Sequence, residues 1–208
     1  MSLETFLYLA PFLLVSLVLH ELAHAYVATW LGDPSPRADG RLSLNPIVHL
    51  DPLGTALFAI TALVSDFIFG WAKPVMINPR HFKRPQVDMA IVAAAGPATN
   101  LLLALGCLAV LVHGNLDVEG EAFRVVAYAY QVNVVLGIFN LIPIPPLDGS
   151  RIVAAVMPRA IHARWSQLDQ IGMFVLFGFI FIFNDQFWDV FSRVLDRTTL
   201  VMRNIVDV

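Results

Sequence analysis

Long apolar runs separated by short polar segments dominate this chain. Three of them reach the length that a helix needs to cross a bilayer, about 20 mostly apolar residues. These runs cover residues 5–31, 89–112 and 125–142. A fourth run, residues 168–183, is shorter and contains Asp169. The pattern predicts an all-α polytopic membrane protein with three core transmembrane helices and a fourth C-terminal helix.

One more apolar stretch, residues 53–71, lies between the first two core helices. It is interrupted by Asp66 and bounded by Pro52 and Gly70. Its local pattern leaves open whether it crosses the bilayer or re-enters it.

The composition agrees with a membrane protein. Apolar residues make up 58% of the 208 and charged residues only 14%, against about a quarter charged residues in soluble domains. The net charge of −3 and the scattered Lys and Arg offer no basic face for nucleic acid. A single cysteine, Cys107, excludes an intrachain disulfide and a tetrathiolate metal site. The N-terminus has no basic region ahead of its apolar run, so we expect a retained helix rather than a signal peptide.

The first apolar run contains the sequence His20-Glu21-Leu22-Ala23-His24. Positions i and i+4 share one helix face, so two imidazoles at this spacing can bind one zinc ion beside a glutamate. The alternative is a pair of histidines hydrogen-bonded to neighbouring helices. Ionisable groups are costly in hydrocarbon unless something binds them, and this favours the metal site.

A catalytic zinc site takes three protein ligands and keeps one position for water. None of the other four histidines, His49, His81, His113 and His162, lies well inside an apolar run. Asp148 follows a proline-rich helix end, where irregular backbone at membrane depth is tolerated only against protein or a wet cavity. The alternative is that Asp148 caps the next helix within an ordinary Asp-Gly turn. The local sequence does not separate these two interpretations.

Three motifs together resemble the site-2 protease family of intramembrane zinc metalloproteases. They are His20-Glu21-x-x-His24, Gly96-x-x-x-Asn100, and Asn140-x-x-Pro143 leading into Leu147-Asp148-Gly149. The stretch from Gly70 to Val75 resembles the small bacterial branch, which lacks a PDZ or nucleotide-sensing domain. The resemblance implies one zinc ion per chain, with Asp148 as its third ligand. It also implies Asn140 as an active-site amide and membrane-embedded proteins as substrates.

The ligands also constrain the topology, because His20 and Asp148 must reach the same side of the bilayer. This requires residues 53–71 to re-enter the bilayer or lie at its interface rather than span. The basic residues of the connecting segments all fall on that side, whereas the opposite loop, residues 114–121, is acidic. These basic residues are Arg37, Arg41, Lys73, Arg80, Lys83, Arg84, Arg151, Arg159 and Arg164. The positive-inside rule then predicts an active site near the cytoplasmic leaflet of a bacterial plasma membrane.

The expected chemistry is peptide hydrolysis in or near a transmembrane segment. Zinc lowers the pKa of a bound water to about 7, Glu21 acts as general base, and Asn140 either contacts the developing oxyanion or is a structural amide. Two extended segments, residues 40–45 and 71–79, are either strand edges for an unwound substrate or ordinary loop strands. His49 and Asp51 beside them are interpreted as polar loop residues.

We divide the chain into a metalloprotease domain, residues 1–184, and an amphipathic C-terminal helix, residues 185–208. The apolar positions of that helix indicate either an interfacial helix in contact with lipid or a contact between copies in a homo-oligomer.

Two other functions compete with the protease. A membrane di-iron oxygenase would need more histidines than the six present. A catalytically idle membrane chaperone or binding protein of the same fold is the second. The intact glutamate argues against it, because an idle protein has no physical reason to keep a costly charged cluster.

Overall fold

The computed structural model describes residues 3–64, 70–158, 161, 165, 168 and 171–207. Asp66, Arg159, His162, Arg164 and Asp169 lie outside the described residues. The α-helices of the described part are α1 (Leu3–Trp30), α2 (Ser35–Ala38), α3 (Pro52–Val64), α4 (Pro85–His113), α5 (Glu121–Asn140), α6 (Asp148–Ala154), α7 (Gly172–Ile182) and α8 (Asn184–Val206). Two short 3-10 turns, Pro46–Val48 and Pro79–His81, lie in the connections.

Among the residues that the structure describes, three helices are long and apolar enough to cross a bilayer: α1 from Tyr8 onward, α4 and α5. This confirms the three predicted core helices and an all-α membrane protein. The central helix, α4, packs on both α1 and α5. Small residues permit the close approach. A Cβ added to Gly137 of α5 would lie 2.9 Å from the Leu101 side chain of α4, and packing of this kind holds helices together where lipid removes the hydrophobic driving force.

The two ends of the stretch between the first two core helices lie side by side, as the topology required. Leu50, which precedes α3, and Ala72, which follows the stretch, form an antiparallel bridge. The Lys73 N–H donates to the His49 carbonyl at 2.8 Å. Gly54 is needed at this crossing, because a Cβ there would collide with the Trp71 carbonyl. Both ends of the stretch therefore lie on one side.

The segment that follows, residues 71–78, is extended and runs beside α1. It pairs with other backbone only at the isolated bridge; within the described residues no strand forms. Arg41, which is only 3% exposed, fixes it in place by donating to the Pro74 carbonyl at 3.0 Å and to the Val48 carbonyl. The segment is thus held by side chains rather than by a sheet.

The C-terminal part contains a bent pair. Helix α7 has 11 residues and is too short to span alone. It turns by 97° into α8, and the two together qualify as a fourth candidate span. The apolar face of α8 packs on α4 and α5, where its buried residues Phe187, Phe191 and Met202 join one cluster with Ala104, Leu108, Val134 and Ile138.

Candidate metal centre

Three potential ligand atoms converge from two parts of the chain. His20 and His24 lie one turn apart on the face of α1 that packs on α4, and their Nε2 atoms are 3.0 Å apart. The Asp148 Oδ2 atom, at the start of α6, lies 3.1 Å from the His20 Nε2 and 3.3 Å from the His24 Nε2. The histidines are 6% exposed. The structure therefore brings together the three residues expected to bind metal.

The turn after α5 delivers Asp148 to the two histidines. Helix α5 ends at Asn140, residues 141–147 form a proline-rich turn, and α6 begins at Asp148. The next residue, Gly149, packs directly against the carbonyl of Leu141, and a Cβ at this position would collide with it. Glycine is therefore what allows α6 to start close beneath the end of α5. The Ser150 hydroxyl donates to the Leu147 carbonyl at 2.7 Å and closes the turn.

The spacing of this group fits zinc. A tetrahedral ion with bonds of about 2.0–2.1 Å keeps its ligands about 3.3 Å apart, close to the three separations observed. Two imidazoles and a carboxylate are also a donor set that zinc accepts. Gly96 of α4 faces the same point. A Cβ there would lie 2.5 Å from the His20 Nε2 and closer still to the His24 Nε2. Because residue 96 is a glycine, no side chain projects from this position of α4 into the space where the ligand atoms converge.

Each histidine is held through its second ring nitrogen. The His20 Nδ1 lies 2.6 Å from the Asn100 Oδ1, and the His24 Nδ1 lies 2.7 Å from the Val92 carbonyl. Both partners are acceptors, so we assign the proton to Nδ1 in each ring. That tautomer points the Nε2 lone pairs toward Asp148, and such outer hydrogen bonds typically orient histidine ligands in metal sites.

A chain of buried amides continues from Asn100 to the third core helix. The Asn100 Nδ2 donates to the Asn133 Oδ1 at 3.0 Å, and the Asn133 Nδ2 donates to the Ala129 carbonyl at 2.9 Å. Asn100 is fully buried and Asn133 is 4% exposed. Sequence reasoning recognised Asn100 only as part of a motif and missed Asn133. The available signal was an asparagine inside an apolar helix, which needs a buried partner.

Glu21 contacts the extended segment between α3 and α4. Its Oε2 accepts a hydrogen bond of 3.2 Å from the Val75 N–H, and its side chain is half-buried. Because Glu21 follows His20 directly on α1, it lies at the rim of the group of ligands. The segment of residues 71–78 therefore passes within hydrogen-bonding distance of the expected general base.

Asn140 is placed differently from the other predicted site residues. Its Nδ2 donates to the Leu136 carbonyl one turn back in α5 at 3.0 Å. No described hydrogen bond joins Asn140 to the group of ligands, so its role as an active-site amide stays a prediction. His49 and Asp51 lie in the connection between α2 and α3. His49 interacts with the Ser43 carbonyl at 2.8 Å, and the Asp51 Oδ1 accepts from the Gly54 N–H at 2.8 Å.

The buried carboxylate of Asp33 connects the end of α1 to the segment that leads into α4. It is fully buried and accepts bonds from the Asn78 N–H, the Ser35 N–H and hydroxyl, and His81, all within 3.0 Å. Burial alone would raise the pKa of Asp33, but these hydrogen bonds outweigh it and hold the pKa below its ordinary value. Asp33 thereby anchors the segment that carries Val75.

The chain is similar in sequence to proteins that are named as zinc metalloproteases. The sequence profile of Peptidase family M50 matches residues 113–183. YwhC of Bacillus subtilis, provisionally named a zinc metalloprotease, is 42% identical over 182 residues, which cover 84% of this chain and 80% of that protein. Rip2 of Mycolicibacterium smegmatis, also provisionally named a zinc metalloprotease, is 32% identical over 65% of this chain and 52% of its own length. Zinc metalloprotease MJ0392 of Methanocaldococcus jannaschii is 26% identical over 71% of this chain and 33% of its own length. No solved structure gives a significant match.

Proposed function

The chain belongs to peptidase family M50 and is a zinc metalloprotease of the membrane, and we propose that it is an intramembrane endopeptidase. Its substrates are membrane proteins, cut in or near their transmembrane segments. One observation carries this proposal: the ligand atoms of His20, His24 and Asp148 converge within 3.3 Å of one another, and two of them belong to a membrane-spanning helix.

In the proposed reaction His20, His24 and Asp148 hold one zinc ion. Zinc supplies a Lewis acid and a water whose pKa falls to about 7. Glu21 accepts the proton of the attacking water and then passes it to the leaving amine. The Val75 N–H fixes the Oε2 of Glu21, which leaves Oε1 for these proton transfers. The Asn100–Asn133 chain keeps the imidazole of His20 in one tautomer throughout.

A transmembrane substrate must be unwound before its carbonyl can be attacked, because a helix shields that carbonyl with its own hydrogen bonds. The extended segment of residues 71–78 supports this step. It lies beside Glu21 and forms no strand with the rest of the described chain, so those of its backbone groups that make no described hydrogen bond, such as the Met76 N–H, are available to pair with an unwound substrate. Asn140 would then act on the substrate backbone or on the developing oxyanion.

We further propose that the active site faces the cytoplasmic leaflet of a bacterial plasma membrane. The charge asymmetry of the loops supports this orientation. Single cysteines at Arg84 and Asn115 should react with a membrane-impermeant thiol reagent from opposite sides of the membrane, and labelling of both from one side would contradict the topology.

The decisive comparison is between the wild type and Glu21→Gln, which keeps the shape of the side chain but removes its basicity. Glu119→Gln, in the acidic loop far from the ligands, is the matched control. We expect wild-type zinc content in all three proteins and cleavage of a model transmembrane peptide by the wild type and the control only. Equal cleavage by Glu21→Gln would remove Glu21 from the mechanism. An absence of cleavage by zinc-loaded wild type would favour the idle binding protein instead.

A further inference from the structure

Helix α8 follows α5 through the thickness of the bilayer. Near the end of α5, the ring of Phe139 packs on Phe191 with centroids 6.3 Å apart. Half-way along α5, the Tyr130 hydroxyl lies 2.7 Å from the Thr199 Oγ1. The residue numbers fall along α5 as they rise along α8, so the two helices are antiparallel. Because α5 is a spanning helix, α8 lies upright at membrane depth rather than flat in the interface.

At the far end of the bilayer, α8 meets the end of α4. The His113 Nε2 lies 2.9 Å from the carbonyl of Val206. The contacts of α8 therefore extend from one end of the core helices to the other.

The face of α8 that points away from α4 and α5 is charged. Successive residues of a helix are rotated by about 100° around its axis. By this measure the residues of the exposed face lie opposite the buried Phe191 and Met202 and form one stripe. The stripe consists of Asp185, Asp189, Arg193, Asp196, Arg197, Leu200 and Arg203, all of which are exposed. The side chains of Asp189 and Arg193 pair at 2.6 Å yet stay 66% and 64% exposed. Nothing in the described chain covers this stripe.

Hydrocarbon cannot cover it either. A charged side chain near the bilayer centre costs at least about 2.5–3.5 kcal/mol. Asp185 and Arg203 lie near the ends of α8 and can reach the headgroups. Arg193, Asp196 and Arg197 lie within two turns of Thr199, which is level with the middle of α5. These central charges need a polar partner at the same depth.

We propose that the charged stripe of α8 is the contact between two copies of this chain in the membrane. Two copies inserted in the same direction are related by an axis along the membrane normal, so their α8 helices pair in parallel and at equal depth. Asp196 then lies within about 5 Å, along the helix axis, of both Arg193 and Arg197 of the second copy. The four charges from Asp189 to Arg197 sum to zero, so the paired stripes neutralise one another.

Disulfide cross-linking in native membranes tests the pairing. Leu200 lies on the axis-facing stripe, so Leu200→Cys in a Cys107→Ala background should oxidise to a covalent dimer of twice 23.0 kDa. The control is Leu102→Cys in the same background. Leu102 is 67% exposed and is not part of the cluster that joins α4 to α8, and its variant should stay monomeric.

Charge variants in the Leu200→Cys background separate pairing from folding. Asp196→Arg should abolish the cross-link, because it places three like charges against three. Reversal of all four charges, with Asp189→Arg, Arg193→Asp, Asp196→Arg and Arg197→Asp, should restore it, because the four charges again sum to zero and opposite charges again lie at nearly the same depth in the two copies. A Leu200→Cys chain that stays monomeric, or that cross-links to a different protein, would overturn the proposal. So would a cross-link insensitive to Asp196→Arg.

Discussion

Gly96→Ala should disable the metal centre by a single methyl group. The added Cβ would lie 2.5 Å from the His20 Nε2 and still closer to the His24 Nε2. An ordinary carbon–nitrogen contact is about 1 Å longer. Either α4 must move away from α1 or both imidazoles must rotate.

Rotation of the imidazoles has a definite cost. It breaks the His20–Asn100 and His24–Val92 hydrogen bonds of 2.6 and 2.7 Å, and each such bond contributes about 1–1.5 kcal/mol. The loss of about 2–3 kcal/mol corresponds to a zinc affinity lower by about 30- to 150-fold. Movement of α4 would lose the same bonds, because Asn100 and Val92 both belong to α4.

Competition between the purified protein and a zinc chelator measures this affinity directly. Gly106→Ala is the matched control, since it makes the same change in the same helix at a position where a Cβ would meet nothing within 4 Å. Both variants gain the helix propensity of alanine, so only the collision differs between them. If Gly96→Ala bound zinc as tightly as Gly106→Ala, the ligand atoms would not converge beside Gly96 and the reasoning would fail.

Two further predictions address the surroundings of the site. Asn133→Leu should lower zinc affinity by about 10-fold, as loss of an outer hydrogen-bonding partner commonly does; the same chelator competition measures it, and an unchanged affinity would exclude the amide chain from orienting His20. Asp33→Asn places an amide opposite the Asn78 N–H and should destabilise the fold by about 1–3 kcal/mol. Thermal unfolding in detergent measures this loss, and Asp39→Asn, at an exposed position, is the control. Because the folded-state pKa of Asp33 is lowered, its contribution is complete above about pH 4 and is lost as the pH falls through the folded-state value. The Asp33→Asn protein should therefore lose less stability than the wild type as the pH falls through this range. An equal loss of stability in the two proteins would contradict the role assigned to Asp33.

The positions of the core helices and two of the ligands were predictable because each depends on a local pattern. Apolar length alone located α1, α4 and α5, and the i, i+4 spacing placed His20 and His24 on one face. The need for a shared metal, with which the charge asymmetry agrees, led to the prediction that residues 53–71 do not span the bilayer. No local pattern decided between Asp148 as a ligand and Asp148 as a cap, and the resemblance to a family was needed.

Other features could not be predicted because they depend on contacts between distant segments. The bond from Val75 to Glu21 arises where the returning segment happens to pass α1. Asn133 meets Asn100 only because Gly137 lets α5 approach α4. The sequence also left open whether the C-terminal helix lies in the interface, and its upright packing on α5 follows from aromatic contacts such as Phe139 with Phe191.

Zinc K-edge X-ray absorption of the purified, zinc-loaded protein tests the metal centre most directly. We expect a first shell at about 2.0–2.1 Å made only of nitrogen and oxygen, with multiple scattering from two imidazoles, and loss of one oxygen neighbour or of the metal in Asp148→Ala. A third imidazole, a sulfur neighbour, or an unchanged spectrum in Asp148→Ala would contradict a site built from His20, His24 and Asp148.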